Sequence, residues 1–376
     1  MAAPIFYSSL VLLIYCYLLY PAVLCCLPRR NRWSLLGREA DKFEALCWPS
    51  LSVVLAAYNE AKVITAKIEN FLACSYPGSS EIVIVSDGST DRTVWEARQF
   101  ASPRVRVITE PTRRGKGAAI NRAVQEARGE ILVFTDANAF FTRETLTELV
   151  CPFADERVGL VTGCTRYPDG TIGSIYQRYE QMLKRLEALG GVIATADGAA
   201  YALRRSLWRE HDPVIINDFF HPILVSLHRA DSLISPKAMC VEEFSVENEF
   251  ARQVRMVSQA SFVYLKFLPE LINAKRWRSI FVLTSHKLLR WLTVPLLALL
   301  VAATFWLGQR RAIYAIALCG EGLFAALVMI GSTRAAGARA KLSFAYQFMA
   351  FNLAGTLGLW RCLIGTVPVV WRPRSQ

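Results

Sequence analysis

The sequence predicts an α/β domain with a doubly wound, mainly parallel sheet, accompanied by about four membrane-spanning helices. Three observations lead there. Between residues 51 and 135, short apolar runs alternate with amphipathic ones, the strand–helix rhythm from which parallel sheets are built. The apolar runs are continuous, as strands covered on both faces require, and three of them stop abruptly in polar clusters. Finally, 53% of the 376 residues are hydrophobic and mean hydropathy is +0.28. That excess is concentrated in long stretches toward the two ends.

Residues 5–27 are apolar throughout and, as a helix, about 35 Å long, more than the ~30 Å hydrocarbon core they must cross. A signal peptide would begin with basic residues and end in a small-residue cleavage site. This stretch begins Met1-Ala2-Ala3-Pro4 and ends in Pro28-Arg29-Arg30-Asn31-Arg32. Those arginines place the next part of the chain in the cytoplasm. A polar linker, 28–50, then leads to strands expected at 51–57, 81–86, 104–109 and 131–135. Helices are expected between them, near 62–73, 91–100 and 117–128.

The ends of the strands carry the chemistry. The fourth closes in Thr135-Asp136-Ala137-Asn138, which sets a carboxylate and an amide oxygen two residues apart where open α/β sheets keep their ligands. Such a pair suits a divalent cation that shares a diphosphate with the protein, although Asp136 as a helix cap accounts for it equally well. The second strand closes in Ser86-Asp87-Gly88-Ser89-Thr90-Asp91. Turn and capping needs explain all of that cluster except Asp87, which is placed to accept from a base or ribose. Arg113-Arg114-Gly115-Lys116-Gly117 opens a helix, so Lys116, backbone N–H groups and the helix dipole can face phosphate. No GxGxxG follows the first strand and no Walker lysine motif occurs, which argues against dinucleotide oxidoreductases and P-loop enzymes.

The net charge of +12 fits Lys and Arg flanking membrane spans. No basic stripe interleaved with aromatics points to nucleic acid. The ten cysteines show no metal-type spacing and read as reduced.

Taken together, AAYNE at 56–60, SDGSTD at 86–91, RRGKGAAIN at 113–121, TDAN at 135–138, ADGAAYALRR at 196–205 and IND at 216–218 resemble the family 2 inverting glycosyltransferases of GT-A fold. The similarity runs from about residue 51 to 256 and is greatest to the membrane-embedded branch of hyaluronan, chitin and poly-N-acetylglucosamine synthases. It implies a cytoplasmic GT-A domain at the inner, plasma membrane, with a nucleotide-sugar half at 51–165 and an acceptor half at 166–260. In that frame Ala57, Tyr58, Asn59 and Glu60 border the nucleotide, Asp87 holds the uracil of a UDP-sugar, and Lys116 lies near the diphosphate. Asp136 would hold Mg²⁺ or Mn²⁺, with Asn138 as second ligand where the family usually has Asp. Asp218 would be the base, with Asn217 replacing the family's Glu. It sits among Ile215, Ile216, Phe219 and Phe220, whose desolvation would raise its pKa, although it reads equally as an N-cap of the next helix. Asp197 and Gly198 would meet the acceptor. Arg255 matches the arginine of the processive synthases' Gln-x-x-Arg-Trp motif, while Arg252 and Met256 replace its Gln and Trp. Loss of that aromatic platform weakens the case for long polymers.

The acceptor is therefore expected to be a growing glycan or, alternatively, a lipid carrier or headgroup. An inactive sugar-binding membrane subunit is the third reading. No partner subunit is named by the residues. Beyond the catalytic part, 261–290 mixes Phe, Leu and Trp with Lys266, Lys275, Arg276, Arg278, Lys287 and Arg290, as helices lying on the bilayer do. The region 291–376 contains further spans at 291–307, 312–330 and 342–360. Glu321 falls in the middle of one of them, where an acid must face protein or a polar path.

Overall fold

The computed structural model describes residues 2–29, 48–166, 174–242, 249–309, 311–332 and 344–368. Most of the expected linker, together with Arg310, Arg334, Arg339 and Lys341, lies outside them. The chain divides into two units. One comprises residues 27–246, 263–280 and 368–376, the other residues 1–26, 247–262 and 281–367.

The first unit is built on one eight-stranded sheet. Its strands are β1 (Leu51–Ala57), β2 (Ser80–Asp87), β3 (Val105–Glu110), β4 (Ile131–Thr135), β5 (Ala139–Phe141), β6 (Val158–Arg166), β7 (Tyr201–Arg204) and β8 (Asp231–Glu242). They lie in the order β3-β2-β1-β4-β7-β6-β8-β5. The first four are parallel, in the positions the apolar runs predict, and are joined by helices Ile64–Leu72, Thr93–Arg98 and Lys116–Glu126.

Beyond β4 the sheet becomes mixed: the pairs β4·β7, β6·β7 and β5·β8 are antiparallel, while β6·β8 is parallel.

Both faces of the parallel half are covered, which is why its strands read as unbroken apolar runs. Leu51, Val53 and Leu55 of β1 pack with Ile64, Ile68 and Phe71 on one side. Val54 packs with Val83, Ala119, Ile120 and Ala123 on the other. Each fully buried side chain of this size contributes about 1.5–3 kcal/mol. The sheet is thereby held rigidly enough to fix the loops at its carboxyl edge.

The second unit is helical. Two helices, Ala2–Cys26 and Ala312–Gly331, are long and apolar enough to cross a bilayer, or three if Trp277–Trp291 and Thr293–Gly308, bent by 58°, count as one broken span. Residues 344–363 also form a helix, Phe344–Leu363, but Gln347, Asn352, Thr356 and Arg361 dilute its apolar character and it does not qualify. The expectation of about four spans is thus reduced to two or three among the described residues. The stretch 261–290 is helical as expected, though its first part belongs to a longer helix, Glu249–Asn273.

Polar ties hold this unit together. Tyr17 Oη donates to Asn352 Oδ1 at 2.7 Å and lies 2.9 Å from Thr293 Oγ1, while Tyr15 Oη lies 2.8 Å from Ser285 Oγ. Glu321 accepts from Thr304 Oγ1 at 2.9 Å, so the mid-helix acid faces a neighbouring helix.

Candidate active site

Because β1 lies between β2 and β4, the loops that follow these three strands share one edge of the sheet. Asn59, after β1, takes the left-handed conformation at φ 53°. That geometry lets its Oδ1 accept from Thr90 N at 2.9 Å while its own N–H donates to Ser89 Oγ at 3.1 Å. Glu60 N donates to Thr93 Oγ1 at 2.7 Å. The first two polar clusters are therefore knitted together by their own hydrogen bonds. Ala57 is buried, and Tyr58, Asn59 and Glu60 are partly exposed along this edge.

Asp87 is 1% exposed. Its Oδ1 accepts from Arg114 N at 2.7 Å and its Oδ2 from Gly115 N at 2.9 Å. The carboxylate that the family resemblance assigns to uracil thus clasps the basic loop. Gly88 completes the clasp: at φ 68° it approaches so closely that an added Cβ would lie 2.8 Å from Arg113 N. Arg113 in turn stacks its guanidinium 3.6 Å from the centroid of the Tyr58 ring, a flat cationic and aromatic surface at the site's edge.

Gly115, at φ 101°, turns the loop into helix Lys116–Glu126. At the start of that helix Lys116 Nζ meets Asp136 Oδ1 at 2.5 Å, with the two side chains 33% and 36% exposed. A partly exposed pair of this kind remains open to a phosphate or a cation. Asn138 is partly exposed two residues on. Among the described residues no cluster of three or more His, Cys, Asp or Glu could cage a metal. One carboxylate and one amide oxygen fit a hard cation that draws the rest of its shell from a substrate diphosphate and water, as Mg²⁺ does.

Gly117 and Asn121 stand on one side of the same helix. A Cβ on Gly117 would lie 2.8 Å from Pro213 Cα, and Asn121 Nδ2 donates to the His211 carbonyl oxygen at 2.6 Å. This docks residues 211–213 on the helix and delivers Asp218, in the first turn of helix Asn217–Leu227, to the same region.

Asp218 Oδ1 is enclosed and has no hydrogen-bond partner. Burial raises its carboxyl above the usual range; the Lys116 ammonium draws it back and the Asp136 carboxylate pushes it up again. Gly198 leaves room beside it, since a Cβ there would lie 2.8 Å from Asp218 Oδ2. Asp197, expected at the acceptor, accepts from Thr165 N at 2.8 Å and from Thr165 Oγ1 at 2.7 Å, tying its loop to β6.

Asn217, the family's Glu position, donates from Nδ2 to Tyr201 Oη at 2.5 Å, and Tyr201 Oη lies 3.0 Å from His221 Nδ1. Burial pushes the His221 imidazole well down, which favours its neutral form. The Tyr201 ring stacks on Phe134 of β4 at 4.8 Å between centroids. This buried chain anchors the helix start that carries Asp218, and sequence reasoning missed it. The one available signal was a large aromatic amid the small residues of 196–205.

Arg255 lies on helix Glu249–Asn273, in the part assigned to the other unit, and its Nη1 donates to Gln259 Oε1 at 3.0 Å. The remaining candidates, from Ala57 through Asp218, belong to the sheet unit.

The chain is 29% identical over 256 residues to a probable glycosyltransferase, YdaM, of Bacillus subtilis, covering 62% of this chain and 60% of that protein. It is 27% identical over 222 residues to a poly-β-1,6-N-acetyl-D-glucosamine synthase of Staphylococcus epidermidis, covering 56% and 52%. The matches thus span about half to three-fifths of these relatives' length. Among solved structures, a mannosyltransferase of Pyrobaculum calidifontis, in complex with GDP-mannose and Mn²⁺, superposes with a TM-score of 0.69 at 21% identity, over 96% of this chain and 99% of that one. The fold is shared. Residues 52–211 match the family described as glycosyl transferase family 2.

Proposed function

We propose that the protein is a membrane glycosyltransferase, transferring a hexose or N-acetylhexosamine from a UDP-sugar to a growing polysaccharide with inversion at the anomeric carbon. The observation that carries this reading is Asp218: a partly buried carboxylate whose Oδ1 is enclosed without a hydrogen-bond partner and whose pKa is raised, within electrostatic reach of the partly exposed Lys116–Asp136 pair.

In this reading Asp218 takes the proton of the acceptor hydroxyl. The oxygen forms its bond to the anomeric carbon from the face opposite the nucleotide, and the nucleoside diphosphate leaves with the electrons of the broken bond. Lys116 holds the diphosphate as its charge grows. Asp136 and Asn138 would hold Mg²⁺ or Mn²⁺, which supplies further neutralisation of the leaving group. The Tyr58–Arg113 stack borders the base. The apolar helices support a multi-pass location, with the sheet unit on the cytoplasmic side of the plasma membrane. Transfer of a single sugar to a lipid carrier or headgroup is the second reading, favoured by Met256 where processive synthases carry a stacking Trp.

The test is nucleoside diphosphate release by the detergent-purified protein across a panel of UDP- and GDP-sugars with Mg²⁺ or Mn²⁺. Release with one donor, abolished by chelation and by Asp218→Asn, is the expected result. A folded protein that hydrolyses or transfers no donor, with glycan and lipid acceptors supplied, overturns the proposal. Product length then separates the two acceptors.

A further inference from the structure

Lys67 takes no part in the proposed chemistry, yet it is 0% exposed. It lies on helix Ile64–Leu72, beneath the turn between β4 and β5. Its ammonium donates to Thr135 Oγ1 at 3.0 Å and to the Ala139 carbonyl oxygen, and sits 3.9 Å from the centroid of the Phe141 ring. These two acceptors flank Asp136-Ala137-Asn138 on either side.

Three residues along the same helix face, Asn70 makes a reciprocal pair with the next part of the strand. Its Nδ2 donates to the Phe141 carbonyl oxygen at 2.8 Å, and its Oδ1 accepts from Phe141 N at 2.8 Å. Thr135 Oγ1 passes its own proton to the Ala199 carbonyl oxygen at 2.8 Å, extending the chain of bonds toward the segment containing Gly198.

A methionine would fill this position without the desolvation penalty of a buried cation. That penalty is visible in the lysine itself, which burial pulls down to about 8. What the ammonium adds over an apolar side chain is direction: two donors aimed at the two ends of a three-residue turn.

We propose that Lys67 is a positioning residue for the donor site. With Asn70 it fixes the span from Thr135 to Phe141, so that the Asp136 and Asn138 oxygens converge on one cation and the diphosphate bound with it. The inference rests on the proposed glycosyl transfer. It assigns to the helix after the first polar cluster a role in donor binding that touches neither nucleotide nor sugar.

The experiment is calorimetric titration of the full-length, detergent-purified protein with UDP and with GDP, each with and without Mn²⁺. It is run on wild type, Lys67→Met and Thr135→Val. Outer partners of metal ligands typically carry about 10- to 100-fold in metal affinity. The expected result is that Lys67→Met unfolds cooperatively and binds nucleotide alone as wild type does, but loses about 10-fold or more of the affinity that Mn²⁺ adds. A side chain that merely filled the core would shift the melting temperature and leave that Mn²⁺-dependent gain untouched. A folded Lys67→Met with the wild-type gain therefore overturns the proposal. Should Lys67→Met fail to fold, Thr135→Val decides by the same criterion, since it removes one acceptor and keeps the buried lysine. Absence of any Mn²⁺-dependent nucleotide binding in wild type would instead overturn the donor-site reading, and this inference with it.

Discussion

Asp87 and Asp218 are the same residue type held in two opposite ways. The Asp87 carboxylate, at the end of β2, has one oxygen on Arg114 N and the other on Gly115 N. The Asp218 carboxylate, at the start of helix Asn217–Leu227, keeps Oδ1 enclosed without a partner, and burial raises its pKa. The first acid is satisfied by the backbone of the basic loop. The second keeps an enclosed oxygen without a partner, which suits the base proposed for it. An acid's place at a strand end or helix start does not separate these roles. Its hydrogen-bond partners do.

This difference can be tested most severely at Asp218. Asp218→Asn is expected to lower turnover by about 10²- to 10⁴-fold, while nucleotide binding and thermal stability stay at or above wild type, because a partly buried carboxylate with an enclosed, unpartnered oxygen has been neutralised. Steady-state rates alongside a melting curve check both halves. A variant that loses stability in step with activity would make Asp218 a structural acid like Asp87.

Asp87→Asn should behave in the reverse order. An amide can accept only one of the two N–H groups and presents its own NH₂ to the other, leaving a buried donor unpaired. The expected loss is about 1–3 kcal/mol of stability, with nucleotide affinity falling as the loop loosens. Equilibrium unfolding with nucleotide titration measures it. Full stability with selective loss of UDP binding would return Asp87 to the base-binding role.

Gly198→Ala sharpens the comparison at smaller scale. Its Cβ would press on Asp218 Oδ2 at 2.8 Å, so the carboxylate must move. A fall in turnover of about 10-fold, with donor affinity unchanged, is expected from a misplaced base. A KM effect alone would move Gly198 to the donor side.

The smallest effect is in pH dependence. With its folded pKa raised, Asp218 binds more protons in the native than in the unfolded state between the ordinary carboxyl value and the raised one. Its contribution to stability therefore falls as pH climbs through that window and is level above it. Wild type minus Asp218→Asn stability, followed by thermal melts across acid pH, should show that downward step, while activity should rise over the same range as the base ionises. A difference that rises with pH would mean the carboxylate is paired.

Much of the sheet unit was legible in the residues. The four parallel strands were, because burial on both faces forces continuous apolar runs such as Ile131–Thr135, and polar clusters mark where those runs leave the core. Gly88 was legible as a turn residue, although the reason for it, a φ of 68° and a loop so near that an added Cβ would lie 2.8 Å from Arg113 N, needed coordinates. The mixed half was not legible. Strand direction there depends on which neighbour β7 and β5 find, and no local pattern encodes a partner 60 or more residues away. Of the four expected spans, Phe344–Leu363 is interrupted by polar residues, so length and composition leave two candidates, or three with the bent pair, among the described residues.

By itself, then, the sequence determined which residues carry charge at the sheet's edge, since hydrophobic periodicity and turn chemistry are local properties. Only the tertiary structure decided what each charge does. Lys67 falls in a helix-like run and lies wholly buried under the Asp136 turn; Asp87 reads as a ligand and clasps a loop; Asp218 reads as a base or equally as a helix cap, and its Oδ1 is enclosed without a partner. The physical reason is common to all three. A polar group's energy in a low-dielectric interior is set by the few atoms within hydrogen-bond reach, and those atoms come from segments distant in the chain.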